Sequence, residues 1–349
     1  MESLKNSQNP TVLIVSISGD KSTDDVMDWL SHYSCDVIRF NVDEDLTKNK
    51  DSLSFEFSNY KNETILNSKG ININIDKVKT VWFRKYKTPV FLNSETKSNM
   101  INNDRDELVK HLTKEYTAGM FAIFDTWSLN KNTLGCKITR KPSKMEMLLA
   151  AKSVKLDIPK TLITTKKSKL ISFITENKEV ITKTIKDARG FRKTNNDSTK
   201  MSASLYTELI NSYLLEKIPE TFFPSLFQEK LDKDIEIRSF FLNGKIFSSA
   251  IFSQLDEQTD IDFRMYNNRK PNRTIALNLP SIIEKKIRNL MSALELTTGS
   301  IDLIKTKNNR FVFLEVNPWG QYDMVSKPCN YGLDKKIAEY LLKLEYGKG

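Results

Sequence analysis

The N-terminal part of the chain alternates hydrophobic runs with an amphipathic stretch in the order typical of an α/β domain. Residues 11–17 form a short continuous apolar run that predicts a buried strand, and residues 35–41 predict a second strand. Between them, the polar residues 22–25 can cap a helix whose apolar face includes Trp29. A strand, a helix and a strand at this spacing predict a βαβ unit.

The next part of the chain predicts hairpins, a strand and a long helix. Polar and apolar positions alternate in short segments over residues 53–75, which is typical of hairpin strands. Residues 78–84 predict another strand, and residues 104–123 repeat apolar positions with helical spacing. The pattern then loosens over residues 126–142, which indicates a domain junction.

Two lysines in the middle of the chain occupy positions that an anion would explain. Ser143 is a helix cap, and Lys144 lies in the first turn, where the helix dipole is already positive. Lys183 lies on the apolar face of a strand predicted at residues 180–185, so it either snorkels to water or meets a phosphate. The polar residues 186–200 predict a surface loop, with a mobile cover over an anion as the alternative.

The C-terminal part begins with another hairpin. Residues 234–242 and 245–252 predict strands, and the pair Asn243-Gly244 between them favours a tight two-residue turn. Apolar positions at helical spacing predict helices at residues 281–296 and 333–344.

A second hairpin lies between these two helices. Its apolar runs, residues 299–304 and 311–318, flank the pair Asn308-Asn309, which tolerates the positive φ of a tight turn. If these two asparagines form a two-residue turn, Lys307 pairs with Arg310.

Counting back from this turn brings polar side chains together on one face. Asp302 is then directly opposite Glu315, and period-two alternation adds Asn317. The two carboxylates and the amide have no Lys or Arg among them, and a hard divalent cation such as Mg²⁺ prefers oxygen ligands. The alternative is a half-exposed edge whose acids lie in solvent.

Length and cysteine usage limit the class of protein. At 349 residues and 40.3 kDa, the chain is long enough for two or three domains. The cysteines Cys35, Cys136 and Cys329 are too far apart for a disulfide framework or a clustered metal site, which favours a reducing compartment. No apolar run approaches the length of a membrane span, so we expect a cytoplasmic protein without a membrane partner.

The charge of the chain favours anionic partners without selecting one. The net charge is +10, from 54 Lys and Arg against 44 Asp and Glu. Nucleic acid, nucleotide phosphates and an acidic peptide all qualify, and because the basic residues are scattered, a solvated surface explains much of the excess. Binding of nucleic acid would leave the Asp302, Glu315 and Asn317 face without a role, so we expect no nucleic acid partner.

Taken in order, these features resemble the ATP-grasp superfamily. The resemblance spans residues 140–320 and rests on Lys144, Lys183, Gln228-Glu229-Lys230-Leu231, Glu236-Ile237-Arg238, Asp262-Phe263-Arg264, Asp302 and Glu315-Val316-Asn317-Pro318. It implies an α/β N-terminal domain followed by two α+β ATP-grasp subdomains that hold ATP between antiparallel sheets. The corresponding parts of the chain are residues 1–135, 136–225 and 226–349.

Residues 24–30, 81–85 and 317–331 look like the corresponding segments of graspetide (microviridin-type) peptide maturases of the grasp-with-spasm group. This resemblance implies ATP-driven macrocyclisation of a ribosomal precursor peptide with a leader and an acidic core. Core Asp or Glu side chains would be activated as acyl phosphates and joined to Thr, Ser or Lys side chains by ω-ester or ω-amide links. Relatives suggest a homodimer. The alternatives are a RimK-like ligase that adds an amino acid to a carboxylate, and an inactive scaffold.

The resemblance also implies a role for each matched residue. ATP would contact the phosphate-binding lysines, the adenine-binding linker and an acid for the ribose hydroxyls: Lys144, Lys183, Gln228, Glu229, Lys230, Leu231 and Glu236. Mg²⁺ would be held by Asp302, Glu315 and Asn317, and Arg238 and Arg264 would act catalytically near the γ-phosphate and the incoming carboxylate. A structural ion pair with Glu236 or Asp234 is the alternative for Arg238. The family's phosphate-covering loop is often rich in glycine, whereas residues 186–200 contain only Gly190.

Overall fold

The computed structural model of the chain describes residues 11–43, 52–60, 62–68, 71–86, 102–137, 140–186, 191–194, 200–203, 207–252 and 272–347. The chain forms two compact units, which are Met1–Lys141 together with Gly332–Gly349, and Pro142–Tyr331. The division into residues 1–135, 136–225 and 226–349 stays a prediction. It assigned the last helix to the third part, whereas this helix groups with the first unit.

The described chain contains both helices and strands. The helices are α1 (Lys21–His32), α2 (Asn102–Trp127), α3 (Lys144–Ser153), α4 (Lys167–Asn177), α5 (Ser212–Lys217), α6 (Ser281–Ala293), α7 (Asp323–Cys329) and α8 (Leu333–Glu345). The strands of the first unit are β1 (Thr11–Ser16), β2 (Asp36–Asn41), β3 (Ser52–Phe57), β4 (Asn62–Ser68), β5 (Ile71–Asn74), β6 (Thr80–Phe83) and β7 (Asn132–Gly135). Those of the second unit are β8 (Thr161–Lys166), β9 (Val180–Lys183), β10 (Phe191–Thr194), β11 (Lys200–Ala203), β12 (Glu208–Leu209), β13 (Thr221–Glu229), β14 (Lys233–Leu242), β15 (Lys245–Ile251), β16 (Thr274–Leu277), β17 (Thr298–Thr306) and β18 (Phe311–Asn317).

The first unit is built on a parallel sheet with the strand order β2-β1-β6-β7. The predicted βαβ unit is confirmed as β1, α1 and β2. Helix α1 begins at Lys21 with Asp20 at its N-cap, so the cap predicted at residues 22–25 is wrong: Ser22 and Thr23 are buried in the first turn. Strand β7 lies inside the stretch that was predicted to be only a junction.

A separate antiparallel sheet, β3-β4-β5, confirms the predicted hairpin strands. The predicted helix at residues 104–123 is confirmed as α2, which is longer at both ends. The main hydrophobic core of the first unit includes Leu13, Phe40, Val81 and Phe124, which are all almost completely buried.

Two antiparallel sheets of the second unit carry most residues of the candidate site. The first has the order β12-β9-β13-β8, and its core consists of Leu170, Val180 and Phe227. The second has the order β16-β15-β14-β17-β18. The Asn243-Gly244 turn is confirmed, because Leu242 pairs with Lys245 and both turn residues have positive φ, 40° and 87°.

The polar stretch predicted as a surface loop contains regular structure. Strands β10 and β11 pair with each other in antiparallel fashion. Among the described residues, which include all three cysteines, no disulfide forms. No helix in the described part of the chain is long and apolar enough to cross a membrane.

Candidate functional site

The turn of the β17–β18 hairpin is one residue longer than predicted. The Thr306 N–H donates to the Arg310 carbonyl at 2.9 Å, and the Asn309 N–H donates to the Thr306 carbonyl at 2.9 Å. Asn309 has the positive φ of 61° that closes such a turn. The predicted pairing of Lys307 with Arg310 is therefore wrong.

A β-bulge restores the register at the predicted carboxylates. Leu303 pairs with Phe313, whereas Asp302 pairs with Glu315, so Leu314 is the extra residue. The bulge buries Phe313 completely opposite the buried Leu303 and leaves Leu314 half-buried. The predicted pairing of Asp302 with Glu315 is confirmed, although the turn that led to it has a different length.

Polar side chains then continue across three neighbouring strands. Arg238 on β14 lies directly opposite Asp302 on β17, which lies opposite Glu315 on β18. Two residues further along each strand, and therefore on the same face, Ser300 pairs with Asn317. Because directly paired residues in an antiparallel sheet project from the same face, these five residues share one polar face.

Each carboxylate of this face meets a protein cation. Arg238 Nη1 lies 3.2 Å from Asp302 Oδ1 and 3.3 Å from Oδ2. Lys144 Nζ lies 3.5 Å from Glu315 Oε2 and donates to the Thr184 carbonyl at 2.9 Å. These two cations come from the neighbouring strand β14 and from helix α3. Arg238 pairs with Asp302 and not, as the alternative predicted, with Glu236 or Asp234.

The first turn of α3 places Lys144 in this position. Ser143 Oγ accepts from the Glu146 N–H at 3.3 Å, and Glu146 Oε2 accepts from the Ser143 N–H at 2.6 Å, which is a complete capping box. Hydrogen bonds from the Ser143 side chain and backbone lower the pKa of the Glu146 carboxyl. The predicted Ser143 cap is confirmed.

The chain after β18 closes tightly over the polar face. Asn317 Oδ1 accepts from the Trp319 N–H at 3.2 Å, and the Asn317 carbonyl accepts from the Gly320 N–H at 3.0 Å. A Cβ atom on Gly320 would lie 2.3 Å from Ser300 Oγ and 2.4 Å from Ser300 N. Only glycine fits here without displacing β17.

Two polar atoms of this face are buried without a hydrogen-bond partner among the described residues, Arg238 Nε and Ser300 Oγ. Buried polar atoms are normally satisfied, so Arg238 Nε is suited to a polar ligand, whereas Ser300 Oγ lies against Gly320. The two carboxylates and one amide offer only oxygen ligands, which fits Mg²⁺. In the described part of the chain, no cluster of three or more His, Cys, Asp and Glu residues offers a competing metal site.

The other predicted nucleotide contacts lie on the first sheet of this unit. Lys183 is the half-buried last residue of β9 and pairs with Leu226, two residues from the buried Gln228 on β13. Gln228 Nε2 donates to Thr161 Oγ1 at 2.9 Å. Gln228 and Lys183 therefore share a face of this sheet.

The predicted adenine linker leaves this sheet with its backbone ordered by hydrogen bonds. The Glu229 N–H donates to the Lys160 carbonyl at 3.1 Å, and the Lys230 N–H donates to the Glu179 carbonyl at 3.0 Å. The half-buried Leu231 then leads into β14.

The predicted ribose acid is buried in an ion pair. Glu236 Oε1 lies 2.7 Å from Lys233 Nζ, and Glu236 is two residues from Arg238 on the same face of β14. The second predicted catalytic arginine, Arg264, lies outside the described residues, as does Asp262. Sequence reasoning missed Ser300 and Lys233. Period-two alternation from Asp302 identifies Ser300, but the contact of Lys233 depends on an irregularity that no pattern reveals.

One family model matches the N-terminal part of the chain. Residues 11–131 match the family model described as the MvdD pre-ATP grasp domain. The comparison with curated proteins found no similar protein.

Solved structures resemble the chain over almost its whole length. An ATP-grasp ligase associated with RiPP biosynthesis in Chryseobacterium gregarium, solved with ADP and with a leader and core peptide, has a TM-score of 0.81 and 24% identity and covers 97% of each chain. The macrocyclase MdnC from Microcystis aeruginosa MRC, bound with precursor peptide MdnA, has a TM-score of 0.78 and 23% identity, covering 95% of this chain and 99% of its own. The ligase PsnB, solved with minimal precursor, Mg and ADP, has a TM-score of 0.72 and 13% identity, covering 96% and 97%. The chain therefore has the ATP-grasp fold, and the predicted fold class is confirmed.

Proposed function

We propose that this chain is an ATP-dependent carboxylate ligase that macrocyclises a ribosomal precursor peptide. It activates Asp or Glu side chains of the core and joins them to Thr, Ser or Lys side chains by ω-ester or ω-amide links. The observation that carries the proposal is the polar face of the second sheet, where Arg238, Asp302 and Glu315 lie side by side on three strands. The similar structures described with ADP and precursor peptides support the choice of substrates.

The chemistry requires a carboxylate to become electrophilic. A core carboxylate oxygen attacks the γ-phosphorus of ATP, which breaks the bond to the β-phosphate oxygen and gives ADP and an acyl phosphate. A hydroxyl or amine of the same core then attacks the acyl carbon, loses its proton, and expels inorganic phosphate. The peptide thus loses the elements of one water molecule per link, and ATP supplies the driving force.

Catalysis of these steps depends mainly on position and charge compensation. We assign Lys144 and Lys183 to the phosphates, and Arg238 and Arg264 to the transferring phosphoryl group and the incoming carboxylate. The buried Arg238 Nε has no hydrogen-bond partner among the described residues, which supports a role toward an anionic oxygen. Arg264 is assigned from the sequence resemblance alone.

The nucleotide itself is assigned to two groups of residues. Gln228, Glu229, Lys230 and Leu231 would bind adenine along the linker, with the Glu229 carbonyl toward the amino group. Glu236 would accept hydrogen bonds from the ribose hydroxyls. The hydrogen bonds that order the linker backbone support a preformed adenine site.

We assign Asp302, Glu315 and Asn317 as the ligands of Mg²⁺. When bound, the ion would neutralise charge on the β- and γ-phosphates. The Trp319 N–H fixes the orientation of the Asn317 side chain, because it donates to Oδ1 and so identifies the oxygen end of the amide.

The partner is proposed to be a precursor peptide with a leader and an acidic core. The net charge of +10 favours such a core, because positive potential steers an acidic peptide toward the enzyme. A homodimer and a cytoplasmic location are also proposed, from the family resemblance and the separated cysteines. Light scattering after gel filtration tests the dimer, which would have twice the mass of 40.3 kDa.

Mass spectrometry tests the proposed activity directly. The protein is incubated with ATP, Mg²⁺, a mixture of free amino acids and a candidate precursor peptide, and intact peptide masses are followed with time. We expect a loss of one water mass per link, together with one ADP per link. A gain of mass equal to an amino acid residue would instead identify a RimK-like ligase. ATP hydrolysis with an unchanged peptide mass would contradict both activities.

A further inference from the structure

Lys233 and Glu236 form a buried ion pair at the start of β14. Lys233 Nζ lies 2.7 Å from Glu236 Oε1, and each residue is only 7% exposed. Residues three apart in a regular strand project from opposite faces, so this contact requires an irregular backbone.

A β-bulge at Asp234 supplies that irregularity. Lys233 pairs with Thr306 and Ile235 pairs with Lys305, so two steps along β14 match one step along β17. Thr306 and Ile304 lie on the same face of β17, and Ile304 pairs with Glu236. The bulge therefore turns Lys233 to the face of Glu236, which is also the face of Arg238 and Asp302.

Stability alone is a poor explanation for this pair. A buried ion pair contributes little net stability compared with apolar side chains of similar size, because both charges lose their hydration. The bulge in addition interrupts the ladder of β14 and β17. Beside the predicted nucleotide contacts, however, an ammonium that keeps a buried carboxylate ionised and oriented has a chemical use.

We propose that Lys233 is a positioning residue that sets the preference of the nucleotide site for an intact ribose. This inference rests on the proposed function, specifically on the assignment of Glu236 to the ribose hydroxyls. The Lys233 ammonium holds Glu236 ionised in one orientation, and an ionised carboxylate accepts stronger hydrogen bonds from hydroxyl groups than a neutral one. Without the ammonium, the buried carboxylate loses the cation that orients it, and the ribose hydroxyls lose a well-placed acceptor.

The test compares ADP with 2′,3′-dideoxy-ADP, which lacks both ribose hydroxyls. Dissociation constants of the purified full chain are measured by calorimetry in the presence of Mg²⁺, for wild type, Lys233→Met, Lys233→Arg, Glu236→Gln and the double variant Lys233→Met/Glu236→Gln. We expect wild type to prefer ADP by roughly ten-fold or more, which is the scale of hydrogen bonds to a charged group. Lys233→Met should abolish most of this preference by weakening the binding of ADP alone, and Lys233→Arg should retain the preference.

The double variant keeps the test decisive if Lys233→Met folds poorly. It removes both charges of the pair together, so neither the Lys233 ammonium nor the Glu236 carboxylate is left buried without the other. We expect it to show the same low preference as Glu236→Gln, because Lys233 acts through Glu236. Lys305→Met is the matched control, since Lys305 forms a more exposed pair with Asp234 at the same bulge, and it should keep the preference of wild type.

The outcomes separate this inference from the proposed function. If Lys233→Met weakens the binding of ADP and of dideoxy-ADP by the same factor, Lys233 has only a structural role and the inference fails. The inference also fails if the effects of Lys233→Met and Glu236→Gln on ADP affinity are fully additive in the double variant. If wild type binds ADP without a preference for the ribose hydroxyls, the assignment of Glu236 fails and the inference fails with it. If wild type binds no adenine nucleotide, the proposed function itself fails.

Discussion

Asp302 and Glu315 lie directly opposite each other across β17 and β18, although their strands are joined by a longer turn than the sequence predicts. The bulge at Leu314 compensates for the extra turn residue. It also decides which side chain enters the core, because Phe313 is fully buried and Leu314 is only half-buried. The packing of Phe313 and the pairing of the two carboxylates are therefore consequences of one backbone irregularity.

Glu315→Gln tests the proposed metal role of this pair. We expect the variant to lose ATP-dependent dehydration of the peptide by on the order of 10²-fold or more, because the amide keeps the shape of the side chain but removes its charge. Peptide mass spectra measure the activity, and calorimetry measures ADP binding with and without Mg²⁺. The stimulation of ADP binding by Mg²⁺ should decline together with activity.

Asp232→Asn is the matched control for this change. It removes a carboxylate near the end of the same hairpin, where Asp232 forms an exposed pair with Lys307 that contributes little to stability. Activity and Mg²⁺ dependence should stay at the level of wild type. Full activity of Glu315→Gln would remove the hairpin from the mechanism.

Substitution of Arg238 by Lys distinguishes a catalytic role of this residue from a purely structural ion pair. If Arg238 only balances the charge of Asp302, Lys at this position preserves activity, because Lys retains the charge. If Arg238 acts on the transferring phosphoryl group, the Lys variant loses activity, because Lys lacks the additional donor that Nε provides. In the part of the chain that the structure describes, this Nε has no hydrogen-bond partner. We expect the catalytic outcome.

The measurement is single-turnover formation of ADP with saturating peptide. For Arg238→Lys we expect a rate lower by on the order of 10²–10³-fold with little change in the affinity for ADP. Arg238→Met should be at least as slow. An Arg238→Lys variant with the rate of wild type, beside a slow Arg238→Met, would establish the ion pair as the whole role of this residue.

The regular parts of the fold can be predicted from the sequence, because the spacing of their apolar side chains matches the period of a helix or of a strand. The βαβ unit and the Asn243-Gly244 hairpin were predicted in this way, and both are present. Strand β7 was not predicted, because it is only four residues long, Asn132–Gly135, and begins and ends with Asn and Gly, which have low strand propensity. Its conformation comes from parallel pairing with β6, which is a tertiary interaction.

The candidate site also has features that the sequence predicts and features that it does not. Asp302 was paired with Glu315 by counting back from a two-residue turn, and the pairing holds because the bulge at Leu314 offsets the extra turn residue. The nucleotide was predicted from the resemblance to the ATP-grasp superfamily. The bulges at Leu314 and Asp234 could not be predicted, because each depends on which neighbouring side chains fill the interior. The contacts of Lys144 with Thr184 and Glu315 likewise join segments far apart in sequence.

Gly320→Ala tests the close approach of the loop that follows β18. The added Cβ would lie 2.3 Å from Ser300 Oγ and 2.4 Å from Ser300 N, so the loop and Asn317 must shift. We expect a loss of stability of about 1–3 kcal/mol and weaker Mg²⁺-dependent ADP binding. Thermal unfolding and calorimetry measure the two effects.

Two further variants show whether the effect of Gly320→Ala comes from the close contact with Ser300. Gly320→Ala/Ser300→Ala removes the contact with Oγ but not the contact with the backbone nitrogen, so it should recover only part of the loss. Gly119→Ala is the control, since a Cβ in this helical position meets no atom within 4 Å. It should be neutral or stabilising by about 1 kcal/mol or less and should leave ADP binding unchanged. Unaltered stability and binding in Gly320→Ala would contradict this account of the loop.

The last prediction concerns Asp20 in the first unit, which lies 3.2 Å from Arg84 Nε and 2.6 Å from Lys85 Nζ. Burial alone would raise the pKa of the Asp20 carboxyl, but Arg84, Lys85 and a hydrogen bond from Thr23 outweigh it and hold the pKa below its ordinary value of 3.8. A pKa lowered by folding means that ionised Asp20 stabilises the folded state. This contribution is complete above the pKa of the unfolded chain and disappears as the pH falls through the folded pKa.

Asp20→Asn should therefore destabilise the first unit by about 3 kcal/mol at neutral pH, because it leaves buried positive charge without its carboxylate. The difference from wild type should be constant down to about pH 5 and should shrink below about pH 4, where the Asp20 of the wild type itself takes up a proton. Urea unfolding is followed by tryptophan fluorescence in a Trp319→Phe background, since the other three of the four tryptophans, Trp29, Trp82 and Trp127, lie in the first unit. Asp25→Asn in the same helix, which affects an exposed pair with Lys21, is the control and should change stability by less than about 1 kcal/mol. An Asp20→Asn effect that persists unchanged at pH 3 would show that its cause is packing and not the charge.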